Sequence, residues 1–303
     1  MDIKYSYENK EKQIPSENLG YPAPFPTKSR SNLRADCENC FGLCCVALYF
    51  SASEGFPLDK DAGQACLNLQ PDFRCCVHNN LSERGLKGCI AFDCFGAGQK
   101  VSQVSFGGLD WRKVPESAEQ MFKGFLIMRQ LHELLWYLTE ALTLQQSRPI
   151  HGVLSAMLDE TERLTHLSPD SLMELDVAVH RADVNTLLLK TSELVRAEAR
   201  RGQKAHSGRQ KTFSRGADLI AADLRKINLR GANLRGAYLI AADLSGTDLC
   251  GTDFIGADFR DADLRGADLS KSIFLTQAQL DAAKGDARTK FPSSLTRPTH
   301  WAL

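Results

Sequence analysis

Ten cysteines stand in the chain, and nine of them fall between Cys37 and Cys94. They run Cys37-x2-Cys40-x3-Cys44-Cys45, then Cys66, then Cys75-Cys76-x-His78, then Cys89-x4-Cys94. Thiolates bind zinc and iron strongly, and a Cys-x2-Cys spacing lets two sulfurs approach one ion. The nine thiols and His78 make ten candidate ligands, of which two tetrahedral sites would use about eight. Adjacent cysteines point in different directions in most conformations, so Cys44/Cys45 and Cys75/Cys76 are each expected to divide between a ligand and a core role. The first residues, MDIKYSYENKEKQ, hold no hydrophobic export segment, so the expected location is the cytoplasm, where structural disulfides are disfavoured. Three readings stay open: structural zinc, whose binding energy would be folding energy; iron or an iron–sulfur cluster, which all-thiolate ligation serves equally well; and buried free thiols.

Other chemistry is sparse. Gly96-x-Gly98 lacks the third glycine of a dinucleotide fingerprint, and neither a P-loop nor a GxSxG elbow occurs. His132-Glu133 begins like a zincin motif, but residue 136 is Trp where the second His belongs. Cys94 with His78 could form a nucleophile–base pair, yet both read more naturally as ligands. Asp93 and Asp110 show no paired carboxylate, and Arg84, Arg112 and Lys113 read as surface charges. No reaction is indicated.

These residues need elements to hold them. The chain has 303 residues, 43% of them apolar and 24% charged. That suits about two globular domains. Thirty-seven basic residues balance 37 acidic ones, which disfavours both a strongly basic nucleic-acid binder and an acidic solvating chain. No apolar run reaches the ~18 residues of a membrane span. Residues 1–36, with Pro15, Pro22, Pro24 and Pro26, read as a flexible arm. Residues 37–115 form the cysteine-rich module. Residues 116–200 are helical. Met121, Phe125, Met128, Leu131, Leu135, Leu138 and Leu142 recur at threes and fours between Pro115 and Pro149. Residues 152–165 suit a shorter helix. Ser168-Pro169-Asp170 opens another, with Leu172, Leu175, Val179 and Ala182 as its apolar stripe, running to about Arg200. The apolar faces of these helices should pack on the cysteine module. Residues 201–212 read as a basic linker. Its charge permits a nucleic-acid contact, but without interleaved aromatics a solvated linker is favoured.

From Ala217 the chain reads in fives: ADLIA, ADLRK, INLRG, ANLRG, AYLIA, ADLSG, TDLCG, TDFIG, ADFRD, ADLRG, ADLSK, SIFLT. Every third position is Leu or Phe. First positions are small except Ile227, and the second is usually Asp or Asn. A period of five matches neither helix nor strand. It fits a solenoid with one unit per side, where the third residue fills the interior, the first makes room for it and glycine turns the corner. Ile227 should distort its coil locally. Cys250, at an outward fourth position, reads as a surface thiol.

Residues 217–276 resemble the bacterial pentapeptide-repeat proteins, whose motif is A(D/N)LxX. The resemblance implies a right-handed quadrilateral β-helix with four units per coil. Three coils at about 4.8 Å spacing would stand about 15 Å tall. The repeat domain is taken as 213–276, and 277–303 as a capping helix and C-terminal strap. The overall class is therefore multidomain α+β: a metal-stabilised cysteine module, a helical middle and a β-helix. The cysteine region resembles, through its CxxC and CC spacings, bacterial cysteine-cluster proteins thought to chelate zinc or iron.

Some pentapeptide-repeat proteins look like duplex DNA to type II topoisomerases and protect cells from gyrase-targeting drugs, and others of this general description are linked to antibiotic resistance. Duplex DNA carries about nine charges over such a length. Residues 217–276 hold nine Asp against seven Lys and Arg, a net of minus two. The leading expectation is a non-enzymatic, protein-binding scaffold with a structural zinc module. The others are an iron- or zinc-dependent redox sensor or enzyme centred on the cysteines, and an antibiotic-resistance protein acting by topoisomerase protection. The sequence identifies neither a protein partner nor an oligomeric state.

Overall fold

A computed structural model describes residues 30–201, 213 and 215–301. Most of the expected arm and the expected linker at 202–212 lie outside the described residues. Chain order gives α1 (Leu43–Ala47), α2 (Lys87–Ile90) and α3 (Ala97–Gln99), the last running into a π-helical turn at Lys100–Ser105. Then come α4 (Ala118–Thr143), α5 (His151–Leu164), α6 (Pro169–Met173), α7 (Val177–Arg200), the repeats, and α8 (Gln277–Asp281).

The long helix α4 is apolar along its whole length, and it serves two cores. Met121, Phe125, Met128 and Leu131 pack with Leu43, Val46, Ala47, Ala97 and Val101 of the cysteine-rich region. Trp136, Tyr137, Leu138 and Ala141 join the core that runs into the repeats. The helices thus bury their faces against the repeats as well as against the cysteine region.

The second long helix departs from its sequence pattern. Helix α6 stops at Met173, and Asp176 starts α7 afresh by accepting from the backbone N–H groups of Ala178 and Val179. The break resets the helical phase. Val179 and Ala182 are exposed, and the buried face becomes Val184, Leu188, Thr191, Ser192, Val195 and Ala199.

The repeats form a four-sided stack of tight turns. Parallel bridges join Asp218 to Tyr238, Tyr238 to Asp258, Asp223 to Asp243, Asp243 to Asp263, Asn233 to Asp253 and Asp248 to Asp268. Each register step is 20 residues, or four units. Only isolated bridges form, with no continuous strand among the described residues, because each side is one unit long and turns at both ends. All twelve third-position residues from Leu219 to Phe274 are buried. The second-position Asp or Asn closes each turn by accepting from the N–H two residues on, as Asp243 does from Ser245 at 3.0 Å and Asp263 from Arg265 at 3.0 Å. The fifth position is left-handed in nine of the twelve units, for example at Gly246 with φ +68°. At Asn228, just after Ile227, no bridge to Asp248 forms, the local distortion that the bulky first position predicts.

Helix α7 lies along one corner. Arg196 Nε donates to Gly231 O at 3.1 Å, and Arg230 Nε donates to Ala199 O at 2.8 Å. Arg235 donates to Asp253 at 2.9 Å and to Asn185 of α7 at 2.6 Å. Both ionic partners are buried, so removing one would strand the other charge. The far end of the stack is closed by α8. Its capping box joins Thr276 and Gln279, and Gln279 Nε2 donates to the carbonyls of Phe254 and Ala257, both at 2.9 Å. Bridges from Asp263 to Lys284 and from Asp268 to Lys290 then pair the last edge.

Two glycines with the same φ of +68° separate local strain from helix docking. A Cβ at Gly246 meets nothing, whereas one at Gly251 runs into Ala199 of α7. Gly246→Ala should cost about 1–2 kcal/mol for its left-handed backbone alone. Gly251→Ala should cost more and expose α7 to protease. Equal urea midpoints and equal cleavage rates for the two variants would contradict this docking.

Candidate metal centre

The cysteine-rich region has little regular structure. It is held by single bridges, Phe50 to Lys60 and Leu69 to Cys75, and by its packing on α4. The short helix α1 carries Cys44 and Cys45 with their Sγ atoms 4.0 Å apart. The two sulfurs stay in contact although their residues are adjacent in the helix. The backbone N–H of Cys66 donates to Cys45 O at 2.9 Å, which ties the Cys66 loop to α1. The Leu69–Cys75 bridge folds the next segment back towards α1, and Cys45 and Cys75 shift each other's proton affinity.

Cys44 is the electrostatic hub. Its charge is felt at Cys37, Cys40, Cys45, Cys66, Cys89 and Cys94. Cys75 acts on Cys37, Cys66 and Cys89 in the same way, and His78 acts on Cys75. Cys76 stands apart: it is exposed, with its thiol 3.9 Å from Asn68 Oδ1. Cys250 lies on the repeat stack, half-buried beside Ala199 and Arg230 rather than on open surface. All ten cysteines are free thiols. Among the described residues, no three His, Cys, Asp or Glu side chains are arranged to hold a metal ion.

Proton affinities divide the thiols. The hydrogen bond from Cys45 brings Cys75 down to about 6, and hydrogen bonds with Cys44 and Cys75 push Cys45 up. Burial raises Cys40 to about 11 and both Cys89 and Cys94 to about 12. Burial thus favours the neutral thiol at Cys40, Cys89 and Cys94. Lys60 is a cation felt at Cys66. It is buried, donates to the carbonyls of Val46, Leu48 and Asp61, and lies 4.4 Å from the Phe50 ring centroid.

The remaining candidates have structural partners. Cys94 is not poised as a nucleophile, because burial raises it and its charged neighbour is Asp93, not His78. Asp93 accepts from the Phe95 N–H at 2.8 Å. Asp110 pairs with Lys113 at 2.9 Å and accepts from the Arg112 N–H. Arg112 is no free surface charge: it donates to the carbonyls of Gln70 and Pro71 and stacks 4.4 Å over Phe73. Glu133 pairs with Arg181 of α7 at 3.0 Å. The buried His132 meets Phe95 O through Nδ1 at 2.7 Å. No spacing in the sequence signals that contact.

A family model described as pentapeptide repeats matches residues 215–249 and 237–274, with 8 copies. The uncharacterized protein YybG of Bacillus subtilis (strain 168) is 62% identical over 270 residues, which span 89% of this chain and 95% of that one. No solved structure matches the chain. No helix among the described residues is long and apolar enough to cross a membrane.

Burial holds His132 down to about 4, from an ordinary 6.5. Between those values the unfolded chain binds a proton that the folded chain refuses. The His132 contribution is therefore complete above pH 6.5 and is lost as pH falls towards 4, about 3 kcal/mol in all. Urea midpoints should drop over that range in wild type and drop less in His132→Phe. Parallel profiles would refute the assignment.

Proposed function

This chain belongs to the same family as YybG and carries pentapeptide repeats, and on that premise we propose a non-enzymatic scaffold. It would hold a protein partner on the open side of its repeat stack and a structural metal, zinc, in its cysteine-rich region. The observation that carries the partner reading is Tyr238. It occupies a second position, where Asp or Asn elsewhere closes the turn, and it is 51% exposed. Ile220, also exposed, lies on the same side one coil away. A tyrosine that gives up a turn hydrogen bond to stand in solvent has the chemistry of an interface anchor. Helix α7 takes the opposite corner and Lys87 of the cysteine-rich region pairs with Asp261 at the third coil of this side, which leaves its Ile220 and Tyr238 end for a partner.

For the metal, Cys44, Cys45 and Cys75 are the first candidates, with Cys37 and Cys66 next by electrostatic proximity. Bound there, zinc would cross-link α1 to the segment that carries Cys75 in a region of low regular structure. Duplex mimicry is the weaker reading. Arg225, Arg260 and Arg265 each pair with an aspartate of their own unit, which neutralises the faces a topoisomerase would have to mistake for phosphates.

Two measurements test the proposal. A photo-crosslinking residue at position 238 should trap one discrete protein in cells while the same residue at position 265 traps none. No adduct at 238, or identical adducts at both, would overturn the partner reading. Elemental mass spectrometry of anaerobically purified protein should find about one or two zinc ions per chain, retained in Cys76→Ser and Cys250→Ser and lost in Cys45→Ser and Cys75→Ser. Iron with a visible absorption band would replace the zinc reading with a redox one, and metal-free protein would remove the metal altogether.

A further inference from the structure

A cavity of about 680 Å³ opens between α4, α5 and the π-helical turn, and none of Cys44, Cys45 and Cys75 lines it. That volume suits a small organic ligand. Its walls include Leu33, Leu135 and Leu158, and its inner wall includes His132. The imidazole is only 4% exposed. Nδ1 is engaged with the carbonyl of Phe95, which is not on the cavity wall, so the ring edge left to face the cavity carries Nε2. Among the described residues Nε2 has no partner. With Nδ1–H donating, the neutral ring offers Nε2 as an acceptor at the buried end of the cavity.

At the mouth stand Lys100 and His166, with Lys100 Nζ 3.3 and 3.4 Å from the two ring nitrogens of His166. Burial lowers the Lys100 ammonium's affinity for its proton and Glu162 raises it. Lys100 opens the π-helical turn, a distortion that recurs at functional sites. The amides nearby are already committed: Gln99 donates to Arg34 O and Gln103 to Asn39 O. The unfilled capacities are an acceptor inside, apolar walls between, and a cation with an imidazole at the entrance. Lys100 is the single lysine or arginine on a lining that also holds Asp36 and Glu162, so a ligand can carry at most one negative charge, placed at Lys100.

We propose that this cavity binds a small aromatic monocarboxylic acid bearing a hydroxyl or ring N–H. The donor end bonds to His132 Nε2, the ring lies against Leu135 and Leu158, and the carboxylate meets Lys100 and His166. The site is independent of the metal and of the repeat-face partner.

The test uses full-length protein and para-hydroxybenzoate, with imidazole nitrogen chemical shifts as the readout. Saturable binding should move the His132 Nε2 resonance while Nδ1 stays bonded. Benzoate, which lacks the donor, and Lys100→Met, which lacks the cation, should each weaken binding by about tenfold or more. Phenol should bind Lys100→Met and wild type alike, which shows that the variant cavity remains intact. No saturable shift at His132 up to about 10 mM ligand would overturn the proposal, as would para-hydroxybenzoate affinity unchanged in Lys100→Met.

Discussion

One helix has to satisfy two cores at once. Helix α4 spans 26 residues, about 39 Å at the helical rise. Its first half closes the cysteine-rich region and its second half closes the repeat core. Neither region could shift along the helix without uncovering apolar surface on both. The junction is fixed by polar contacts as well. Glu140 accepts from the Phe274 N–H at 2.6 Å and from Arg30 at 3.4 Å, and Arg30 lies 4.3 Å from the Trp136 ring centroid. Burial raises the Glu140 carboxyl's proton affinity, and Arg30 with the Phe274 N–H draws it down again. The last repeat, the central helix and the segment leading into the cysteines thus share one small polar knot.

The arginines of the repeat units do two kinds of work. Those on open sides, such as Arg225 and Arg265, lie across aspartates at the surface, where such pairs contribute little. Arg230 and Arg235 face α7 and turn the same repeat position into a docking device. One motif position therefore makes a solvated face on one side of the stack and an interior interface on another. Tyr238 makes a third kind of surface.

The period of five was legible because the third-position Leu or Phe recurs without exception from Leu219 to Phe274, and burial follows it. Helix α4 was legible for the same reason. The stripe through Val179 and Ala182 was not. Asp176 caps a new helix there, and a phase reset leaves no mark in an apolar count. The expected β-helix is built of single bridges, because a five-residue side leaves no room for a longer ladder. Around the cysteines, spacing identified the donors but not their grouping. Cys45 meets Cys75 through the fold-back at the Leu69–Cys75 bridge, a tertiary event with no local pattern. His132 and Lys100 belong to elements far apart in sequence, and no motif links them.

The stack's register has a consequence for how this chain can change length. Bridges recur every 20 residues, so side identity is counted modulo four units. Loss of a single unit would rotate everything downstream by a quarter turn. Arg235 would no longer lie under Asp253, and Phe274 would leave Tyr137 and Glu140. The repeat tract can therefore lengthen or shorten only by whole coils, unless α7 and the polar knot at Glu140 are rebuilt in the same step. Length variation among relatives with the same helices should come in quanta of a full turn of the prism.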